Sequence, residues 1–174
     1  MSIHADLRIV PLAPEVHDRT GFSCGVASFD AYLKEQAGQD VRRKTNAVFV
    51  LVSEDKPTQI LGYFTLSATA IAQGEVPEQA RKYIPRYPLV SATLIGRLAV
   101  AKEKQGRGFG HVLLAHALRK AYESAGSVGS CMVVVDAIDE EVAGFYGAYG
   151  FVRLQDSMRL ILPMRTIAKG ITSS

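Results

Sequence analysis

The chain has 174 residues, 48% of them hydrophobic, which is the length of one ordinary domain with ample material for a core. Its first residues, Met1 to Asp6, form no basic-then-apolar leader, and no apolar run approaches about 18 residues, so secreted and membrane-spanning readings are excluded and a cytoplasmic protein is expected. Two isolated cysteines, Cys24 and Cys131, without clustered histidines, exclude a zinc site and a disulfide framework, and a net charge of +3 is too small to argue nucleic-acid binding alone.

Leu7 to Leu12 reads as a first strand. Ser28 is placed to cap a helix that carries Tyr32, Leu33 and Gln36 toward Val41 and ends on Arg42, Arg43 and Lys44. The β-rich runs Ala47 to Val52 and Ile60 to Leu66 flank turn chemistry at Ser53 to Pro57 and predict a hairpin. Three prolines punctuate Gln73 to Pro88, a connecting excursion with a short helix around Glu78 to Tyr83 and the expected substrate-facing loop. Ala92 to Val100 is a strand, followed by a charged turn and a helix over His111 to Tyr122, where Leu114, Leu118 and Ala121 recur at helical spacing. Cys131 to Val135 reads as a buried strand. Asp139 then caps a helix reaching Tyr149, and short strands near Phe151 and over Arg159 to Leu162 follow. This order predicts an α/β fold with at least one parallel crossover. One domain over 1–174 is expected, with a frayed tail after about residue 167.

The positive charge is unevenly spread. Arg81, Lys82, Arg86, Arg97, Lys102, Lys104, Arg107, Arg119 and Lys120 are opposed only by Glu103, which suits a phosphate-rich ligand. In the same stretch the run Gln105-Gly106-Arg107-Gly108-Phe109-Gly110 stands between a strand and a helix. Such a turn brings backbone N–H groups around a phosphate at a helix N-terminus, although glycines also serve sharp turns with no ligand. The spacing rejects a Walker A loop, because His111 follows Gly110, and a Rossmann fingerprint, which needs its third glycine one position later.

These residues resemble the GNAT N-acetyltransferase superfamily, whose acetyl-CoA loop, Gln/Arg-x-x-Gly-x-Gly/Ala, is matched by Gln105, Gly108 and Gly110. Gly96 to Val100 resembles the family's fourth strand, and Phe145, Tyr146, Tyr149, Gly150 and Phe151 its late helix-to-strand signature. More narrowly, Phe22, Cys24, Gly25, Phe29, Asp30, Tyr32 and Leu33, with Val135-Asp136-Ala137 and Leu162-Pro163-Met164, resemble GNAT toxins of type II toxin-antitoxin modules, which acetylate the amino acid on charged tRNA. The resemblance implies a mixed central β-sheet of about six or seven strands flanked by helices. It further implies acetyl-CoA as co-substrate with no metal, charged tRNA and a cognate antitoxin as partners, and a homodimer.

It also assigns roles. Backbone groups of Leu98, Ala99 and Val100 would hold the pantetheine arm. Gln105, Gly106, Arg107, Gly108, Phe109 and Gly110 would hold the pyrophosphate, and Tyr146 would protonate the departing thiolate. A phenol is protonated at neutral pH and suits that task, but a tyrosine beside phenylalanine at a helix end is by itself more often a packing residue, and Tyr149 lies on nearly the same face. Arg42, Arg43, Arg81, Lys82, Arg86 and Arg97 are the candidate RNA contacts, each open to the plainer reading of a solvated surface charge. A GNAT enzyme acting on a small amine or a protein amino group, and an inactive CoA-binding module, are the alternatives at this point.

Overall fold

A computed structural model describes residues 6–172. In chain order its elements are β1 (Leu7–Pro11), α1 (Ala27–Ala31), α2 (Ala37–Arg43), β2 (Ala47–Ser53), β3 (Gly62–Ala72), α3 (Glu78–Arg81), β4 (Leu89–Val100), α4 (Phe109–Ser124), β5 (Met132–Asp136), α5 (Glu140–Gly147), β6 (Val152–Arg153), β7 (Arg159–Pro163) and α6 (Met164–Thr172). A π turn, Tyr32–Gln36, joins α1 to α2. The strands form a seven-stranded sheet in the order β1, β2, β3, β4, β5, β7, β6, with β4 and β5 parallel across the α4 connection. The chain divides into two compact units: residues up to Ser67 with Arg97–Ala117, and Ala68–Gly96 with residues from Leu118 onward.

In the first unit, β1 runs antiparallel to β2, Leu7 opposite Ser53, and β2 runs antiparallel to β3, Ala47 opposite Leu66, so the expected hairpin forms. Ser28 does not cap the first helix. The cap residue is Val26, in extended backbone with no side-chain bond, and the entry is fixed instead by Asp30, whose carboxylate accepts from the Cys24 N–H at 2.9 Å. Leu12, Phe22, Leu33, Val50, Tyr63 and Ala99 are buried together as this unit's core. Gly62 is where β3 must pass close to its neighbours: a Cβ there would stand 2.8 Å from the Ala99 carbonyl oxygen and 2.8 Å from the Leu113 side chain. Gly62→Ala is therefore expected to destabilise the protein by about 1–3 kcal/mol through overpacking, read by urea denaturation. An unchanged midpoint would show that the Ala99 backbone yields freely.

In the second unit, Ala92 faces Met132 and Ile95 faces Val135 in the parallel ladder, while Met132 to Asp136 run antiparallel to β7. Ile71, Val76, Ala80, Val90, Met132, Leu154 and Ile161 form the core here. Strand β4 begins at Leu89 rather than Ala92, because Leu89 and Ser91 point to solvent while Val90 and Ala92 are buried, the period of two that a strand requires. Helix α6 follows β7 directly, with Met164 and Ile167 buried and the Met164 N–H donating to the Cys131 carbonyl at 2.8 Å. Ser173 and Ser174, the end of the expected frayed tail, lie outside the described residues, as does the start of the N-terminal stretch, Met1 to Ala5.

Candidate active site

The parallel ladder on β4 ends at Ile95, but the strand continues to Val100. Along this continuation the Arg97 N–H donates to the hydroxyl of buried Thr65 at 3.1 Å, and the Ala101 N–H donates to the Leu61 carbonyl at 2.8 Å. Leu98 and Val100 are half-buried on one face, and Ala99 is buried on the other. A tight turn over Lys102–Lys104 follows, held by the Lys102 N–H on the Ser23 carbonyl at 2.8 Å.

The glycine loop has a backbone that only glycine adopts readily. Gly106 has φ +79° and Gly108 φ +83°, in the left-handed region that costs an L-residue roughly 1–2 kcal/mol. The Gln105 side-chain amide donates to the Cys24 carbonyl at 2.8 Å and to the Val100 carbonyl at 3.0 Å, fastening the loop to the end of its own strand and to a stretch 81 positions away. Helix α4 starts at buried Phe109, and the Val112 N–H is the one that reaches back to the Gly108 carbonyl, at 3.2 Å. The N-terminus of this 16-residue helix, which follows the glycine loop directly, turns the positive end of its dipole toward an anion. Arg107 is exposed between the two left-handed glycines. These features fit a diphosphate, and the β4 continuation fits an extended amide-bearing chain.

Cys24, at the foot of this loop, is buried and donates its thiol to the Val26 carbonyl, and burial pushes its pKa up to about 11. Cys131 is half-buried. Alkylation at pH 8 is expected to label Cys131 and to spare Cys24 until the protein is unfolded. Rapid modification of both native thiols, read by peptide mass, would contradict this placement.

Tyr146 lies in the second unit, on α5, whose first turn is capped as expected by Asp139 accepting from the Val142 N–H at 2.8 Å. It is 5% exposed, with its ring 5.3 Å from that of Phe145 and 5.4 Å from that of Phe151. Among the described residues its hydroxyl has no hydrogen-bond partner. A buried tyrosine normally finds one, so this hydroxyl is a donor in waiting. Burial raises its pKa, so the proton stays on across the neutral range. Tyr149 is half-buried and is shifted the same way by burial.

The candidate RNA cations fall in both units. Arg42 and Arg43 are exposed in the last turn of α2, where Arg43 donates to the Gln39 amide oxygen at 2.8 and 3.0 Å. Arg97 is half-buried, its guanidinium carbon 3.5 Å from the centroid of the Tyr32 ring. In the second unit Arg81 partly serves the fold, donating to the Val76 carbonyl at 2.9 Å and to the Gly74 carbonyl at 3.4 Å, while Lys82 stands 5.0 Å over Tyr83 and Arg86 is exposed. No group of three metal-ligating side chains occurs among the described residues, and no helix there is long and apolar enough to cross a membrane. Sequence alone singles out Tyr32 only within the toxin-like N-terminal segment, and it gives no role to Thr65 or Asp40. Only the Gln36-to-Asp40 helical spacing hinted at the last of these.

Comparison with known proteins bears on the chemistry. The family model for the acetyltransferase (GNAT) domain matches residues 44–153. A tRNA-acetylating toxin of Mycobacterium tuberculosis is 30% identical over 152 residues, covering 87% of this chain and 89% of its own. Among solved structures, AtaT complexed with acetyl-methionyl-tRNAfMet superposes with a TM-score of 0.87 at 28% identity, over 95% of this chain and 99% of that one. A Tyr-to-Phe mutant of AtaT bound to the C-terminus of the antitoxin AtaR and to acetyl-CoA gives a TM-score of 0.81 at 25% identity, over 96% and 99%. With its left-handed glycine loop, its prolonged β4 strand and a match over most of its length, the chain belongs to the GNAT acetyltransferases, enzymes that transfer acetyl groups from acetyl-CoA.

Proposed function

We propose that this enzyme is a toxin that acetylates the α-amino group of the amino acid on charged tRNA and so blocks translation. The observation that carries the chemistry is the buried Tyr146 hydroxyl, protonated and without a partner among the described residues. The choice of acceptor is supported by the relatives, one named as a tRNA-acetylating toxin and one captured with an acetylated aminoacyl-tRNA.

The amides of Gln105 to Gly110, with Arg107, hold the pyrophosphate of acetyl-CoA, and the backbone of Leu98, Ala99 and Val100 orients its pantetheine arm, one strand N–H there polarising the thioester oxygen. The α-amine attacks the carbonyl carbon, the C–S bond breaks, and Tyr146 gives its proton to the departing sulfur, while the amine's surplus proton passes through water and restores the phenol. The raised phenol pKa keeps the proton on Tyr146 until the sulfur departs. No strong base is required, because the adjacent ester lowers the basicity of the α-amine. The cations Arg42, Arg43, Arg81, Lys82, Arg86 and Arg97 engage the RNA backbone.

We further propose that the chain functions as one catalytic domain over 1–174, in the cytoplasm, as a homodimer neutralised by a cognate antitoxin. The deciding experiment incubates the protein with acetyl-CoA and a pool of charged tRNA and weighs the released aminoacyl groups. A mass gain of one acetyl group on the amino acid is expected. Transfer to polyamines or peptides with none to tRNA would reject the reading.

A further inference from the structure

Arg97 is unusual among the cations of this chain. Its guanidinium carbon lies 3.5 Å from the centroid of the Tyr32 ring, a distance that only face-on stacking allows, yet none of its side-chain N–H groups has a hydrogen-bond acceptor among the described residues. An arginine that serves packing alone ordinarily hands those donors to carbonyl or carboxylate oxygens. The obvious carboxylate is close by but occupied. Asp40 is buried, and its oxygens accept from the Tyr32 hydroxyl at 2.8 Å, the Asn46 amide at 2.9 Å and the Gln36 amide at 2.9 Å. Three neutral donors thus fill most of the carboxylate's acceptor positions, and Arg97 acts on the acid only through its charge, with no direct ion pair between them.

The platform beneath Arg97 is rigid. The π turn Tyr32–Gln36, a helix irregularity associated with functional sites, brings Tyr32 into reach of Asp40 eight positions on. The Tyr32 ring stacks on Tyr63 at 6.5 Å, and the Tyr63 hydroxyl donates to the Phe29 carbonyl at 2.7 Å. From the other side the Arg97 backbone is pinned by Thr65 at 3.1 Å. A planar cation held flat against a fixed ring, with its donors unspent, has the form of a bidentate phosphate grip. It stands one residue before Leu98, at the start of the strand continuation assigned above to the pantetheine arm.

We propose that Arg97 grips a phosphate of the acceptor RNA next to its acylated 3′ end, and that Tyr32 and Asp40 are positioning residues that present it. The inference rests on the proposed transfer to charged tRNA and deepens it. It places one phosphate contact beside the reacting amine and separates it from the contacts that Arg42, Arg43, Arg81, Lys82 and Arg86 make farther along the RNA. Acetyl-CoA also carries phosphates, so the test must tell the two sources apart.

Steady-state kinetics of the purified enzyme would use both intact charged tRNA and a short acylated 3′-terminal fragment, with Arg97→Gln, Arg97→Lys, Tyr32→Leu and Tyr32→Phe. Arg97→Gln is expected to lower kcat/KM for charged tRNA about tenfold or more, carried by KM, with the KM for acetyl-CoA unmoved. The slope of log affinity against log salt should become shallower by roughly 0.7–0.9. The defect should persist on the short fragment. Tyr32→Leu should reproduce the KM defect with Arg97 intact, and Tyr32→Phe, which keeps the ring but frees it from Asp40, should show a smaller one. Arg97→Lys, which keeps the charge and the fold but loses the planar fork, should fall between Arg97→Gln and wild type. The proposal is overturned if KM and salt slope are unchanged, if acetyl-CoA KM rises instead, or if the defect disappears on the fragment. A wild-type enzyme that transfers nothing to charged tRNA overturns it together with the proposed function, whereas a wild type that does transfer, beside a silent Arg97→Gln, overturns this inference alone.

Discussion

Tyr146→Phe is expected to lower kcat by about 10²- to 10⁴-fold, the range for loss of a positioned general acid, and to leave the KM for acetyl-CoA within about twofold. The substitution removes one oxygen from a ring already packed against Phe145 and Phe151, and among the described residues that oxygen bonds to nothing, so the fold loses no hydrogen bond. Stability should therefore stay level or rise slightly while turnover collapses. Tyr149→Phe is the control, since its half-buried ring sits 5.7 Å from Phe145 on the same helix end and carries no assigned step. Because burial raises the Tyr146 pKa, its acid form persists as pH rises, and the activity profile should show no alkaline decline from this group across the neutral range. Equal turnover by wild type and Tyr146→Phe on charged tRNA would end the acid assignment.

Asp40→Ala is expected to cost about 3 kcal/mol, because it strands the buried Tyr32 hydroxyl and the Asn46 amide that the carboxylate now satisfies. For a chain of this size that is a fall in Tm of roughly 10 °C. A pH signature accompanies it. Hydrogen bonds, first from Gln36 and then from Asn46 and Tyr32, hold the Asp40 carboxyl below the usual carboxylate range. A group with a depressed folded pKa contributes stability that is present above its unfolded pKa and is lost as pH falls through the folded value. The stability gap between wild type and Asp40→Asn should thus be constant above about pH 5 and should shrink below about pH 4. A gap that stays flat down to pH 2 would mean that the carboxylate is not what holds this cluster.

What the sequence made legible was local. Asp139 caps its helix because the cap and its target amide are three residues apart, and the hairpin of β2 and β3 follows from two apolar runs and the turn between them. The left-handed glycines could be placed because Gly106 and Gly108 lie in one short connection. The missed features depend on distant residues or on weak patterns. Ser28 has a capping side chain, but the Asp30 carboxylate reaching back to Cys24 sets the helix start elsewhere. The second half of β3, from Ser67 to Ala72, hides among small and polar residues whose period of two is faint. Tyr32 and Arg97 were each singled out, but the contacts that join them to Asp40 and Thr65 had no signature, because they link a helix irregularity to two strands.

The bond from Gln105 to the Cys24 carbonyl spans 81 positions of sequence. The first unit is itself discontinuous, closed only when Arg97–Ala117 return to the residues before Ser67. Contacts of such separation form late, since the entropy of closing a long loop must be met before they reward the chain. The glycine loop therefore has no fixed shape in a nascent or partly folded chain, however early its own residues meet. With the proposed pyrophosphate role of this loop, recovery of acetyl-CoA binding during refolding should track completion of that long-range closure.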